Sequence, residues 1–213
     1  MQEAKTPRRP NSERSEKTRE KLLKAARRLF VEKSYAETST PEIAEKAGVT
    51  RGALYHHFAD KQALFQAVVE REAFLLAEEI ERKAMSPSPV AALLEGGSAF
   101  LEAMAVAGRT RLLLLDGPAV LGRSVMDEIE GRHGNRTLRE GLAAAIRAGA
   151  LPALPLSALT GLLAAAFDRA ALAIEAGGNE KAYRQTLAGI IEGLAASAAA
   201  RKADGSDQQE LPF

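Results

Sequence analysis

Four groups of residues carry side chains able to do chemistry at short spacing. His56-His57 with Asp60 has metal-ligand types, but adjacent helical residues point about 100° apart, so the two imidazoles do not converge on one ion. No metal site is expected there; His57 is expected to pack inward and His56 to face out. Asp168-Arg169 interrupts an apolar stretch. It is either a local polar pairing or a ligand-orienting group at a cavity wall. His133 stands among Glu130, Arg132 and Arg136, as a surface histidine would. The fourth group, Thr50-Arg51-Gly52 with Tyr55 and His56, suits a nucleic acid. Arg51 can reach a guanine edge in two hydrogen bonds. Gly52 lets backbone approach a groove, and Tyr55 and His56 carry polar tips for phosphate oxygens. There is no Gly-rich phosphate loop, nucleophile elbow or convincing catalytic constellation, so no enzymatic activity and no cofactor are expected.

The elements that must position the fourth group are legible. Ser39-Thr40-Pro41-Glu42 has the pattern of a reciprocal capping box with Pro in the first turn. Ile43, Ala44 and Ala47 follow at helical spacing. Gly48 suits a left-handed helix end, and Thr50 is a second N-cap two residues later. Two short helices joined by a tight Gly turn make a helix-turn-helix. Ala53, Leu54 and Phe58 form the inner stripe of the second.

The residues Thr38-Ser39, Ile43-Ala44, Ala47-Gly48-Val49-Thr50, Gly52, Leu54-Tyr55, His57-Phe58 and Lys61 resemble the DNA-binding signature of TetR-type transcriptional regulators. One position departs from it: the family usually closes its first helix with Gly, and this chain has Ser34. The resemblance implies an all-α fold: a three-helix DNA-binding head and a helical body that binds a ligand and dimerises. It implies a homodimer on double-stranded DNA with a palindromic operator, released by a small-molecule effector of unknown identity. The expected DNA contacts are Thr38, Ser39, Thr40, Thr50, Arg51, Gly52, Tyr55, His56 and Lys61. Two readings stay open beside it: an all-helical small-molecule enzyme with an incidental basic head, and a DNA-binding dimer without effector.

Composition bounds the rest. The net charge of +1 gives no global nucleic-acid signal, but eleven Lys and Arg stand against five Glu up to Lys33, leaving that segment about +6 and the remainder about −5. A basic end on a near-neutral chain suits a DNA anion. The absence of cysteine excludes disulfides and thiolate chemistry. No uninterrupted apolar run reaches the ~18–20 residues of a membrane helix, and the N-terminus has no signal-like apolar core. A cytoplasmic protein without a membrane partner is expected.

In order, residues 1–14 read as a disordered basic arm, 15–60 as the helix-turn-helix head, 61–202 as the regulatory and dimerisation body, and 203–213 as a disordered tail. The first helix runs from Ser15 to Lys33 with Leu22, Ala25, Ala26, Leu29 and Phe30 inward. Asp60 caps a helix to about Ala84, roughly 35 Å long at 1.5 Å per residue. It spans head and body, and Lys61 at its start can neutralise a phosphate. Ser86-Pro87-Ser88-Pro89 breaks the pattern. Helices then follow over Val90–Ala107 and Arg109–Leu115, the latter ended by Asp116-Gly117-Pro118. Another runs over Val120–Arg147 with a possible break at Gly134-Asn135. The last two cover Leu156–Glu175 and Lys181–Arg201, with Asn179 as a cap. Phe100, Met104, Leu113, Met126, Phe167 and Asp168 are candidates for a ligand cavity. Leu159, Leu163, Tyr183, Leu187, Ile191 and Leu194 are candidates for the dimer interface that the resemblance implies, or for the core of a monomer.

Overall fold

A computed structural model describes residues 11–203, the side chains of Asn11 and Ser12 excepted. Ten α-helices and one π-helical segment make up the described chain, which contains no strand. Helix α1 (Asn11–Lys33) carries Leu22, Ala26, Leu29 and Phe30 on one face, all buried. It begins four residues before Ser15, so residues 11–14 belong to a helix rather than to the expected arm. Residues 1–10 and 204–213, where the rest of the arm and most of the tail were expected, lie outside the described residues. Ala203 closes the last helix.

Helices α2 (Thr40–Ala47) and α3 (Arg51–His57) form the helix-turn-helix. Ser39 Oγ accepts the Glu42 amide at 3.4 Å, and Thr50 Oγ1 accepts the Ala53 amide at 3.1 Å. Only half of the expected capping box forms. The Glu42 carboxylate turns instead to the Lys33 ammonium, an ion pair that ties α2 to the end of α1. Gly48 sits at φ +64°, and its amide and that of Val49 close the end of α2.

Helix α4 (Lys61–Lys83) is capped by Asp60, whose carboxylate accepts the Ala63 amide at 2.7 Å. Its first half buries Leu64, Phe65, Val68 and Val69 in the head, where the Phe65 and Phe30 rings meet edge-on at 5.1 Å. Its second half packs on α5 (Pro89–Met104). One rod therefore belongs to both parts.

The stretch after α5 departs from expectation. Residues Arg111–Asp116 form a π-helical segment that runs directly into α6 (Gly117–Leu121). Asp116-Gly117-Pro118 does not end the helix. Gly117 keeps helical dihedrals, and Pro118 occupies the first turn of α6, where a missing N–H is tolerated. The stop comes at Gly122, at φ +83°. The element expected from Val120 to Arg147 does break beside Gly134-Asn135, at His133, into α7 (Arg123–Arg132) and α8 (Gly134–Arg147), but Val120 itself belongs to α6. Helices α9 (Leu156–Glu175) and α10 (Glu180–Ala203) fall as expected, and Asn179 Oδ1 accepts the Ala182 amide at 3.1 Å. Around α5, helices α4, α8, α9 and α10 close the body.

Candidate functional site

The outer face of α3 presents Arg51, Gly52, Tyr55 and His56, all exposed, while Leu54 and Phe58 are buried. Arg51 makes no hydrogen bond or ion pair among the described residues, so its guanidinium is available. A Cβ on Gly52 would meet nothing of this chain closer than Thr50 Oγ1 at 3.9 Å. The fold does not need glycine there. Tyr55 hydroxyl and Thr40 Oγ1 lie 2.9 Å apart, which joins the outer faces of α3 and α2. Ser39 and Thr50 are exposed beside them. His57 is half-buried, its ring beside that of Phe58. Burial, aided by the charges of His56 and Arg19, holds its imidazole below the ordinary value.

Two expected contacts sit elsewhere. Thr38 is 1% exposed, and its hydroxyl donates to the Ser34 carbonyl at 2.7 Å and the Leu29 carbonyl at 3.3 Å. It closes the end of α1 and cannot reach a nucleic acid in this arrangement. The Lys61 ammonium donates to the carbonyls of Tyr35 and Thr38, each at 2.9 Å, and lies 4.3 Å from the centre of the Tyr35 ring. Its donors clamp the α1–α2 loop rather than pointing to solvent. Much of the basic surplus on α1 is also internally matched: Arg27 pairs with Glu72, Arg28 with Glu32, Lys24 with Glu20 and Lys33 with Glu42.

In the body, one cavity of about 320 Å³ lies among α4, the α5 helix, the π segment, α7, α8 and α9. Phe100, Met104, Leu113, Met126, Phe167 and Asp168 all line it. The Phe100 and Phe167 rings meet edge-on at 5.6 Å. A Cβ on Gly97 would fall 2.7 Å from the Phe167 ring, so the close approach of α5 to α9 requires glycine there. Asp168 is the unusual member. Burial raises its pKa to about 7, the nearby Glu130 charge adds to the rise, and Arg123 opposes it. It does not pair with Arg169, which is exposed.

The sequence reading missed three features. Glu130 also lines the cavity, and burial pushes its carboxyl up. It stands four residues after Met126, on the same helical face, which was the available signal. His133 is not a surface residue: its ring nitrogen lies 2.7 Å from Glu70 Oε1, and its ring sits edge-on to Phe74 at 6.0 Å. The third is a buried ion cluster. Glu72 accepts Arg27 at 2.8 and 3.1 Å and Arg109 at 3.2 Å, and Arg109 also reaches Glu79 at 3.1 Å. Glu72 falls in the apolar stripe Val68-Val69-Ala73-Leu76, and a charge in such a stripe marks it.

The interface candidates divide differently from expectation. Leu159, Leu163, Leu187 and Ile191 are buried inside the single chain, and Tyr183 and Leu194 are half-buried against the same core. On α9 and α10 the exposed large apolar side chains are Leu162, 73% exposed, and Ile190, 43% exposed. Gly161, Gly189 and Gly193 lie beside them with open space where a Cβ would stand.

The pattern of the tetR family of bacterial regulatory proteins matches residues 22–68, and that of the tetracyclin repressor-like C-terminal domain matches residues 90–209. The chain belongs to the tetR family. A tetR-family transcriptional regulator from Pectobacterium atrosepticum is similar over 87% of this chain and 97% of its own, with 32% identity and a TM-score of 0.66. The regulator AcrR of Shigella flexneri is 39% identical over 108 residues, and the repressor BepR of Brucella suis biovar 1 is 39% identical over 109 residues. Each match covers half of this chain, which spans about half the length of these two relatives. The FadR regulator of Bacillus subtilis, solved in complex with stearoyl-CoA, shares the fold with a TM-score of 0.70 over 81% of this chain and 96% of its own, at 16% identity. In this tetR-family chain the boundary between the two matched regions falls inside and just after α4, the rod that both halves share.

Proposed function

We propose that this tetR-family regulator is a dimeric repressor that reads a near-palindromic operator with α3 and is released by a small molecule in the body cavity. The observation that carries the reading is the outer face of α3: an exposed, unpaired Arg51 next to Gly52, on a helix capped by Thr50 and preceded by α2, which Ser39 caps. Thr40, Thr50, Arg51, Tyr55 and His56 enter or flank the major groove, with Ser39 at the phosphates. The second copy docks on the outer face of α9 and α10. Two observations support that occupant. Only 28% of the most apolar window of α9 is buried in one chain, although its length and composition would suffice to cross a membrane. The open glycines beside Leu162 and Ile190 let another helix approach closely. Two heads related by a two-fold axis then meet successive major grooves about 34–36 Å apart. A partner of this kind places the protein in the cytoplasm.

The ligand acts through contiguous structure. Leu113 and Leu114 of the π segment line the cavity. Two residues before that segment, Arg109 grips Glu72 on α4, and Glu72 grips Arg27 on α1. A ligand that favours one setting of this chain of contacts over another shifts the heads, with a coupling of about 1–3 kcal/mol typical of such systems. Selection of bound duplexes from a random pool by the purified protein tests the DNA half of the reading. Enrichment of an inverted repeat is expected. A folded, dimeric protein that enriches nothing contradicts it.

A further inference from the structure

The cavity wall is mostly apolar; its polar members are four acids and the neutral Asn135 and Thr137. Glu81, Glu130, Glu140 and Asp168 line it, and no Lys, Arg or His does. Two of the four are compensated: the Arg136 guanidinium donates to Glu81 at 2.6 Å and to Glu140 at 3.2 Å. The other two are not. Glu130 accepts one long hydrogen bond, from the Asn135 amide at 3.3 Å. Asp168 has no hydrogen bond or ion pair among the described residues. Arg123 is near enough to be felt by both, yet its guanidinium is engaged by Asp127 at 3.0 Å. Carboxyl groups kept in apolar surroundings without partners are costly unless something else compensates them. No group of three or more metal-ligating side chains occurs among the described residues, so a coordinated metal does not account for the pair. The same acids oppose a carboxylate or phosphate-bearing ligand.

Resting on the reading of this cavity as the effector site, we propose that it takes an amphipathic organic cation, a quaternary ammonium or protonated amine on an apolar body. The charged group sits at Asp168 and Glu130. The body lies against Phe100, Phe167, Met104 and Met126, where aromatic faces add to the attraction of a cation. A cavity of about 320 Å³ is at the lower end of the range used for small ligands. Because burial holds Asp168 up at about 7, the empty site is partly protonated near neutrality. The arriving cation stabilises the ionised form, and the displaced proton goes to solvent. Affinity for a permanently charged ligand therefore rises as pH rises through about 7. The other charges facing the site are Glu130 with Asn135, Glu81 and Glu140 with Arg136, and the more distant Arg123.

Equilibrium dialysis of the full chain without DNA tests this, using benzyltrimethylammonium against neopentylbenzene, its uncharged carbon isostere, and phenylacetate. The ammonium is expected to bind at least tenfold tighter than the isostere, with phenylacetate weakest. Asp168→Asn and Glu130→Gln are each expected to remove most of that preference. The preference is expected to shrink from pH 8 to pH 5. Equal binding of ammonium and isostere, no ammonium binding at millimolar concentration, or a preference that survives in the double variant overturns the proposal. If Asp168→Asn does not fold, Glu130→Gln and the pH series on the unaltered protein decide. The assay contains no DNA, so its failure is separate from a failure to select a duplex.

Discussion

At the level of single residues, side chains of similar type divide sharply by what they touch. Arg51 and Lys61 are both basic residues near α3, yet one is free and the other is spent on backbone carbonyls. Arg51→Ala is therefore expected to relax preference at one base pair, at a cost of about 1–3 kcal/mol in operator binding and little change in unfolding midpoint. Lys61→Met is expected to lower the unfolding midpoint first, since it leaves the Tyr35 and Thr38 carbonyls without their donor. Binding titrations paired with urea melts separate the two; a Lys61 variant that melts like the parent while losing salt-dependent DNA affinity would return this residue to the phosphates. Ser34 stands at φ +91°, where a side chain is strained and the family resemblance anticipates glycine. Ser34→Gly should stabilise the head by about 1 kcal/mol, read from the shift of a urea transition. Asp168 supplies a pH signature. Its pKa is raised on folding, so the native state holds the proton more tightly than the unfolded chain does. Stability attached to it is fully present below the unfolded value near 4 and is lost as pH rises through about 7. Asp168→Asn should thus gain stability relative to the parent between pH 4 and pH 7, and the gain should level off above that; a gain independent of pH would contradict the burial. The reading face was legible in the sequence because caps and exposure follow from local spacing. Thr38 and Lys61 were misplaced because their partners, on the end of α1 and its loop, are set by tertiary packing.

At the level of elements, the helices were largely legible and their junctions were not. Ser39, Thr50, Asp60 and Asn179 act locally, through an amide three residues on, and so announce their helices. The stretch Arg111–Leu121 hid its course because Asp-Gly-Pro usually stops a helix. Here a Cβ at position 117 would lie 2.8 Å from the Leu112 carbonyl oxygen and 2.9 Å from Met126 Sδ, so glycine serves close packing rather than a turn. The π segment beside it widens the helix at the cavity wall, a place where such insertions recur at functional sites. The element most exposed to disruption is α4 at Glu72. Burial works to raise that carboxyl's pKa, but Arg27 and Arg109 together outweigh it and hold it below the ordinary range. Its contribution to stability is present above the unfolded value and is lost as pH falls. Glu72→Gln leaves Arg109, 3% exposed, with Glu79 alone as a counter-charge among the described residues. Removing one member of a buried ion pair costs about 3–5 kcal/mol, and the urea midpoint at pH 7 is the measurement. A loss below about 1 kcal/mol would show that water reaches the cluster.

At the level of the whole molecule, the proposed dimer makes a definite demand on the outer face of α9 and α10. Periodicity marked α9 and α10 as apolar over a wide arc, but an arc facing the chain's own core and one facing a partner read alike in sequence. In the fold Leu159, Leu163, Leu187 and Ile191 go inward, and Leu162 and Ile190 are exposed. Leu162 is so exposed that replacing it should leave the single chain's core untouched. Leu162→Arg is expected to retain helical circular dichroism and to sediment as a monomer of 22.7 kDa at concentrations where the parent is twice that mass. An arginine at the two-fold contact sets like charges against each other in a dry interface and costs several kcal/mol, enough to weaken self-association by more than a hundredfold. Operator binding should then lose its cooperativity, since each head meets only half of the inverted repeat. Leu159→Arg, placed in the core, should instead unfold the body. A Leu162→Arg protein that remains dimeric moves the interface off this face. One that is monomeric yet binds the full operator as tightly as the parent severs dimerisation from DNA reading.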